Sequence, residues 1–174
     1  MECIIILNSV TISNMNWDII DDPMTELTST NEYTMITSQI AVGSLYSSYE
    51  MFDVIVNMAY RYDGDGFVKH QLTQTRERNK TVIRIGLHDT PTEPLDVILP
   101  IIVPILLIAL QEGKRILIHC QAGMSRSASV AISLLAIHES MTFTEALDYV
   151  KSKRPIVQPN PSFLRMVREY IKIV

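Results

Sequence analysis

Cysteine is scarce: Cys3 and Cys120 are the only two in 174 residues. Two distant thiols cannot build a disulfide scaffold, and they show no zinc-site spacing. His70, His88, His119 and His138 are scattered along the chain, so no metal cofactor is expected. Excess positive charge is missing as well. The formal net charge is −4, which speaks against a nucleic-acid partner. No long apolar run is present. The longest, residues 97–110, has fourteen residues, short of the ~20 that a membrane-spanning helix requires. The start of the chain has no basic stretch ahead of an apolar core, and residue 2 is glutamate rather than glycine. Neither a secretory leader nor a myristoyl anchor is expected. The remaining composition, 47% hydrophobic and 20% charged, is that of a globular domain with enough residues for one full core.

One stretch carries chemistry. Ile116, Leu117 and Ile118 form a short apolar run of the kind found in buried strands. Cys120 stands where that strand would end. A five-residue loop containing Gly123 leads to Arg126, and residues 127–137 are small and apolar without Gly or Pro, which predicts a buried helix. A strand, a tight loop and a helix N-terminus together make an anion cradle, because main-chain N–H groups converge there and the helix dipole favours negative charge. A cysteine in such a place is held as a thiolate: its reference pKa of roughly 8.5 falls to about 3.5–7.5 near helix N-termini or cations. Arg126 stays charged, and its planar fork suits two oxygens of a phosphate. A sulfur nucleophile, a ring of donors and a bidentate cation equip the site for displacement at phosphorus.

The string His119-Cys120-x-x-Gly123-x-x-Arg126-Ser127 resembles the signature of cysteine-dependent protein phosphatases, most closely the small dual-specificity ones. The resemblance implies an α/β fold of three layers, with a mixed, partly parallel sheet of about five strands flanked by helices. Residues 34–174 are then the catalytic domain and residues 1–33 an N-terminal arm. It also implies roles. Cys120 attacks phosphorus, while Arg126 and the main-chain N–H groups of Gln121, Ala122, Gly123, Met124, Ser125 and Arg126 hold the oxygens. Asp89 is the general acid, on a loop about thirty residues before the cysteine. Glu93 and Asp96 compete for that role, but Asp96 is better read as an early-helix carboxylate favoured by the dipole. Ser127 hydrogen-bonds the sulfur and helps it leave, and His119 positions the loop and tunes Cys120. Asn160 either braces the phosphate loop or simply caps the last helix.

The rest of the chain supplies the frame. Residues 35–36 and 39–42 read as two strands joined by a turn, residues 45–51 as a short helix, and residues 53–58 and 81–85 as strands. Between them, residues 61–80 read as a polar connection. Asp63-Gly64-Asp65-Gly66 within it is a turn, because Arg61 and Leu72 occupy positions where a calcium loop needs carboxylates. The cations Lys69, Arg76, Arg78 and Lys80 form a solvated face. Leu95 to Gln111 is apolar all round and contains Pro100 and Pro104, so a kinked or broken helix, buried on every side, is expected. Gly113 suits its C-cap. Thr142 and Glu145 form a capping box, and Asn160-Pro161 opens a last helix with Phe163, Leu164, Val167, Tyr170 and Ile171 on its apolar face. In the arm, an apolar run at residues 3–7 precedes an acidic cluster, Asp18, Asp21, Asp22 and Glu26. These read as a solvated helix or an association segment.

The expected function is hydrolysis of phosphotyrosine and phosphoserine or phosphothreonine in a protein substrate. The only tryptophan is Trp17, so the Trp-Pro-Asp loop of larger tyrosine-specific relatives is missing. The phosphate loop has no lysine, which argues against lipid or inositol polyphosphates. An RNA 5′-triphosphatase on the same scaffold is the alternative, with Lys153 and Arg154 as its only basic hints. A catalytically silent phospho-binding module is a third reading, opposed by the intact Cys120, Asp89 and Arg126. Self-association is open through the N-terminal arm or the 95–111 segment. The expected location is cytoplasmic, with access to the nucleus.

Overall fold

The computed structural model describes residues 32–59 and 72–174. Six strands form one sheet: β1 (Tyr33–Met35), β2 (Ile40–Gly43), β3 (Val54–Ala59), β4 (Leu72–Glu77), β5 (Lys80–Leu87) and β6 (Ile116–His119), in the spatial order β1-β2-β6-β3-β5-β4. The four inner strands are parallel, with Val42 and Val56 both in register with Ile118 of β6. The two edges are antiparallel: β1 pairs with β2 and β4 with β5. Central parallel strands are covered on both faces and therefore read as continuous apolar runs. Every residue of β2 and β6 is buried.

Four helices complete the fold: α1 (Leu95–Gln111), α2 (Arg126–His138), α3 (Phe143–Lys153) and α4 (Pro161–Ile173). Alternation along the strands divides the core. Ile116, Ile118 and Cys120 share the main cluster with Leu99, Leu106, Ile132 and Phe163 of the helices. Leu117 points the other way, into a smaller cluster with Ala41, Ile55, Val82 and Phe52, against which Tyr33, Met35 and Tyr49 pack. Along α2, eleven residues from Arg126 to Ala136 are buried. Its interior serines stay satisfied because Ser129 Oγ donates to the Ser125 carbonyl (2.8 Å) and Ser133 Oγ to the Ser129 carbonyl (3.0 Å).

The caps follow the sequence closely. Thr142 Oγ1 accepts from the Glu145 N–H while the Glu145 carboxylate accepts from the Thr142 N–H, a complete capping box. Asn160 Oδ1 accepts from the Phe163 N–H (2.9 Å), with Pro161 at the first helical position. Gly113, at φ +74°, ends α1 in the left-handed conformation. Its N–H donates to the Leu110 carbonyl and that of Lys114 to the Ala109 carbonyl, the paired bonds of a Schellman motif.

Several expectations are corrected. The sheet of about five strands is there, with six in all, but the stretch read as a polar connection contains Leu72–Glu77, which is the edge strand β4. Residues 45–51 are not helical; turns occupy this segment, and Phe52 and Tyr49 cover the small cluster. Helix α1 is one continuous element rather than a broken one, and it is not buried on every side. Pro100 and Pro104 are exposed, as are Val97 (52%) and Ile108 (57%). Four-residue spacing puts Asp96, Pro100 and Pro104 in one exposed row, so the carbonyls left without N–H partners face water. The arm, the 63–66 turn and Lys69 lie outside the described residues.

Candidate active site

The carboxyl ends of the parallel strands converge on the loop after β6, where ligands bind in open α/β sheets. Cys120 is buried at the end of that strand, and its N–H donates to the Gly43 carbonyl at the end of β2 (3.3 Å). Ser127 Oγ donates to Cys120 Sγ at 3.2 Å. Burial by itself pushes the thiol pKa up. It is outweighed by the Ser127 hydroxyl, the Ser127 N–H, the Arg126 charge and the Gly123 N–H, so the thiol lies below its ordinary value. One main-chain N–H of the loop, from Gly123, and one from the first turn of α2, from Ser127, thus face the sulfur.

Arg126 is buried at the start of α2. One terminal nitrogen donates to the Leu87 carbonyl at the end of β5 (2.8 Å) and lies 3.4 Å from the Met58 carbonyl on β3. The guanidinium is therefore fixed by the sheet. Its Nε is buried and makes no hydrogen bond among the described residues. A buried donor without a partner costs about 1–3 kcal/mol, and an oxyanion in the loop removes that cost. His119, on the opposite side of β6, brings Nε2 to 2.6 Å from the Tyr49 hydroxyl. Burial pushes its imidazole down to about 4. It is thus neutral near pH 7 and contributes position rather than charge.

Gly123 has φ +67°, and a Cβ there would meet the Gly43 carbonyl oxygen at 2.6 Å and the Arg154 guanidinium at 2.7 Å. Only glycine combines that backbone with so close an approach. Arg154 itself braces the loop from outside. Nε donates to the Gly123 carbonyl (2.9 Å), one terminal nitrogen to the Ala122 carbonyl (3.2 Å), and the other to Thr34 Oγ1 on β1 (3.0 Å). Carbonyls drawn outward leave the next N–H groups in the loop turned inward. Nothing local in the sequence marks this role, because the partners lie thirty or more residues away.

Of the three candidate acids, only Asp89 reaches the loop. Its Oδ1 accepts from Ser125 Oγ (2.7 Å) and from Asn160 Nδ2 (2.8 Å). Glu93 is buried, and its carboxylate accepts from the His88 N–H (3.2 Å). Asp96 is exposed in the first turn of α1. The structure thus brings Cys120, Ser125, Arg126, Ser127 and Asp89 together, and joins Asn160 to both loops. Gln121 and Ala122 form the exposed rim and Met124 is half-buried. Among the described residues, no group of His, Cys, Asp or Glu is arranged to hold a metal ion, and no helix is long and apolar enough to cross a membrane.

Changing Ser127 to alanine removes a donor that stabilises the charged sulfur. The Cys120 thiol is then expected to titrate at higher pH, so the rise in reactivity with pH moves upward. Alkylation of Cys120 by iodoacetamide across pH measures it, and an unmoved profile would show that the hydroxyl does not support the thiolate.

A mixed sheet presents a loop-bound thiol of lowered pKa, a fixed guanidinium and a facing carboxyl, which together make a candidate oxyanion site. The family profile for the dual specificity phosphatase catalytic domain matches residues 36–173. The chain belongs to that family. It is 31% identical over 148 residues to the tyrosine-protein phosphatase vhp-1 of Caenorhabditis elegans, covering 81% of this chain and 21% of that protein. A shorter stretch of 61 residues is 47% identical to the mouse dual specificity protein phosphatase 19, covering 35% of this chain and 27% of that one. The chain thus spans about a fifth to a quarter of these curated relatives. Human DUSP28 shares the fold with a TM-score of 0.69 at 22% identity, over 83% of this chain and 96% of that one. The human tyrosine phosphatase-like serine/threonine/tyrosine-interacting protein does so at 0.70 and 22%, over 83% and 98%.

Proposed function

We propose that this chain is a protein phosphatase that hydrolyses phosphotyrosine and phosphoserine or phosphothreonine through a phosphocysteine intermediate. The observation that carries this reading is the thiol held below its ordinary pKa beside a fixed Arg126 with an unpartnered Nε. In the first step the Cys120 lone pair forms the S–P bond as the P–O bond to the substrate breaks, and Asp89 gives its proton to the departing oxygen. The loop N–H groups and Arg126 hold the three equatorial oxygens, where charge is spread in the transition state. In the second step the Asp89 carboxylate takes a proton from water, the water oxygen attacks phosphorus, and the S–P bond breaks. Ser127 Oγ supports the departing thiolate. The catalytic domain is taken as residues 34–174, preceded by a 1–33 arm.

The triphosphatase alternative loses its basic hints. Arg154 is committed to Gly123, Ala122 and Thr34, and Lys153 Nζ lies 5.3 Å from the Tyr149 ring centroid. A phosphorylated protein remains the substrate that fits. The half-exposed Val97 and Ile108 support self-association through α1 as a further property of the chain. A nucleophile that works only as a reduced thiol supports a cytoplasmic site of action with access to the nucleus.

Asp89→Asn tests the acid. Initial rates on phosphoserine peptide are expected to fall roughly 10²–10⁴-fold, the usual contribution of a general acid. Rates on an aryl phosphate with an acidic leaving group should fall far less. Equal losses on both substrates would remove Asp89 from the mechanism.

A further inference from the structure

The connection between α3 and α4 touches both catalytic loops. The Gln158 N–H donates to the Met124 carbonyl (2.9 Å) and the Asn160 N–H to Ser125 Oγ (3.2 Å), both in the phosphate loop. Asn160 Nδ2 donates to Asp89 Oδ1 (2.8 Å) and Ser162 Oγ to the Pro91 carbonyl (2.9 Å), both in the loop after β5. Between the two loops, Ser125 Oγ donates to the same Asp89 oxygen (2.7 Å).

The directions of these bonds are fixed by chemistry. A main-chain N–H only donates, so Ser125 Oγ accepts from Asn160, and an ionised carboxylate only accepts, so the same hydroxyl gives its hydrogen to Asp89. Asn160 Oδ1 already accepts from the Phe163 N–H, so its amide nitrogen is the end that meets Asp89. Reversing that amide would set oxygen against oxygen at Asp89 and nitrogen against nitrogen at Phe163. Oδ1 of the carboxylate therefore receives two hydrogens, and Oδ2 is the oxygen left open to take up the catalytic proton.

We infer that Ser125 and Asn160 are positioning residues that clamp the general acid: they occupy Asp89 Oδ1, assign the catalytic proton to Oδ2 and fix that oxygen relative to the phosphate loop. This rests on the reading of Asp89 as the acid. Asp89 is exposed on a loop, where its side chain would otherwise sample several rotamers. Two short bonds from two different elements leave it one. The clamp is also shared with the scaffold, because the same Asn160 side chain caps α4, so the acid is held wherever the helix is formed.

The test is a rate ratio, alkyl phosphate to activated aryl phosphate, which isolates proton donation. Ser125→Ala removes the hydroxyl. Asn160→Ser keeps a helix-capping oxygen but is too short to reach Asp89. Each is made in the original chain and again in the Asp89→Asn chain. Each variant is expected to lower the ratio about 10–100-fold through kcat, with KM little moved, when Asp89 is present. In the Asp89→Asn background the ratio should not change further, as expected for groups that act through one another. An equal drop in both backgrounds would mean a merely structural role, and an unchanged ratio in the original chain would overturn the clamp. If Asp89→Asn alone leaves the ratio intact, it is the acid assignment that fails.

Discussion

Exchanging the Cys120 sulfur for oxygen, in Cys120→Ser, is expected to stop turnover while phosphopeptide still binds. A serine hydroxyl is not ionised by the donors that ionise a thiol, so the nucleophile disappears. The expected loss is on the order of 10⁴–10⁶-fold, the scale seen when one member of a cooperating catalytic unit is removed. The binding groups are untouched: the loop N–H groups remain, and Arg126 is held by Leu87 and Met58 rather than by the sulfur. Single-turnover assays should show no burst, and calorimetry should show a stable complex with phosphotyrosine peptide. In the original chain, acid quenching during turnover followed by mass spectrometry should find one phosphoryl group on residue 120. Phosphate on any other side chain, or undiminished turnover of the serine variant, would overturn the mechanism.

The second large effect is Arg126→Lys. Charge is kept, but the planar fork is lost. A lysine ammonium is a point donor that cannot bond the Leu87 and Met58 carbonyls and grip a phosphate at the same time. Loss of one preorganised donor to a developing oxyanion costs about 10²–10³-fold in kcat, so kcat/KM should fall roughly 10³-fold or more once ground-state binding is weakened too. The carbonyls left behind are buried, and each unsatisfied one costs about 1–3 kcal/mol. The melting temperature should therefore fall together with activity. Inorganic phosphate is expected to protect the original chain against heat and the variant much less. Full phosphate protection in the lysine variant would show that charge alone, not the fork, does the binding.

Much of this was legible in the residues. The Cys120 loop, the parallel centre and the caps at Thr142, Asn160 and Gly113 are local signals, written in stretches of a few residues. What escaped was set by partners distant in sequence. Leu72–Glu77 is polar along most of its length because it is an edge, paired on one side only and open to water, so no apolar pattern announces it. The 45–51 stretch has residues that would tolerate a helix. It turns instead, as the chain crosses the sheet and Tyr49 reaches His119. The two prolines of α1 were read as breaks, yet each sits where the bond it lacks would have faced solvent. At the site, residue types were readable but their second contacts were not. Arg154 counted only as a basic hint for the triphosphatase reading and is a brace of the phosphate loop. Asn160, which reads as either a brace of the phosphate loop or a cap, caps α4 and is also a partner of Asp89.

The bond from Arg154 to Thr34 joins positions 120 residues apart across the outside of the loop. Cys120 is thus added to the growing chain before the residue that aims the loop's amides. A chain that has not yet reached position 154 lacks the anchor that draws the Ala122 and Gly123 carbonyls outward. Reactivity of the sulfur should therefore arise late in folding, after the slow closure of a long-range contact. A nascent chain would in this way stay chemically quiet until nearly all of the domain is assembled.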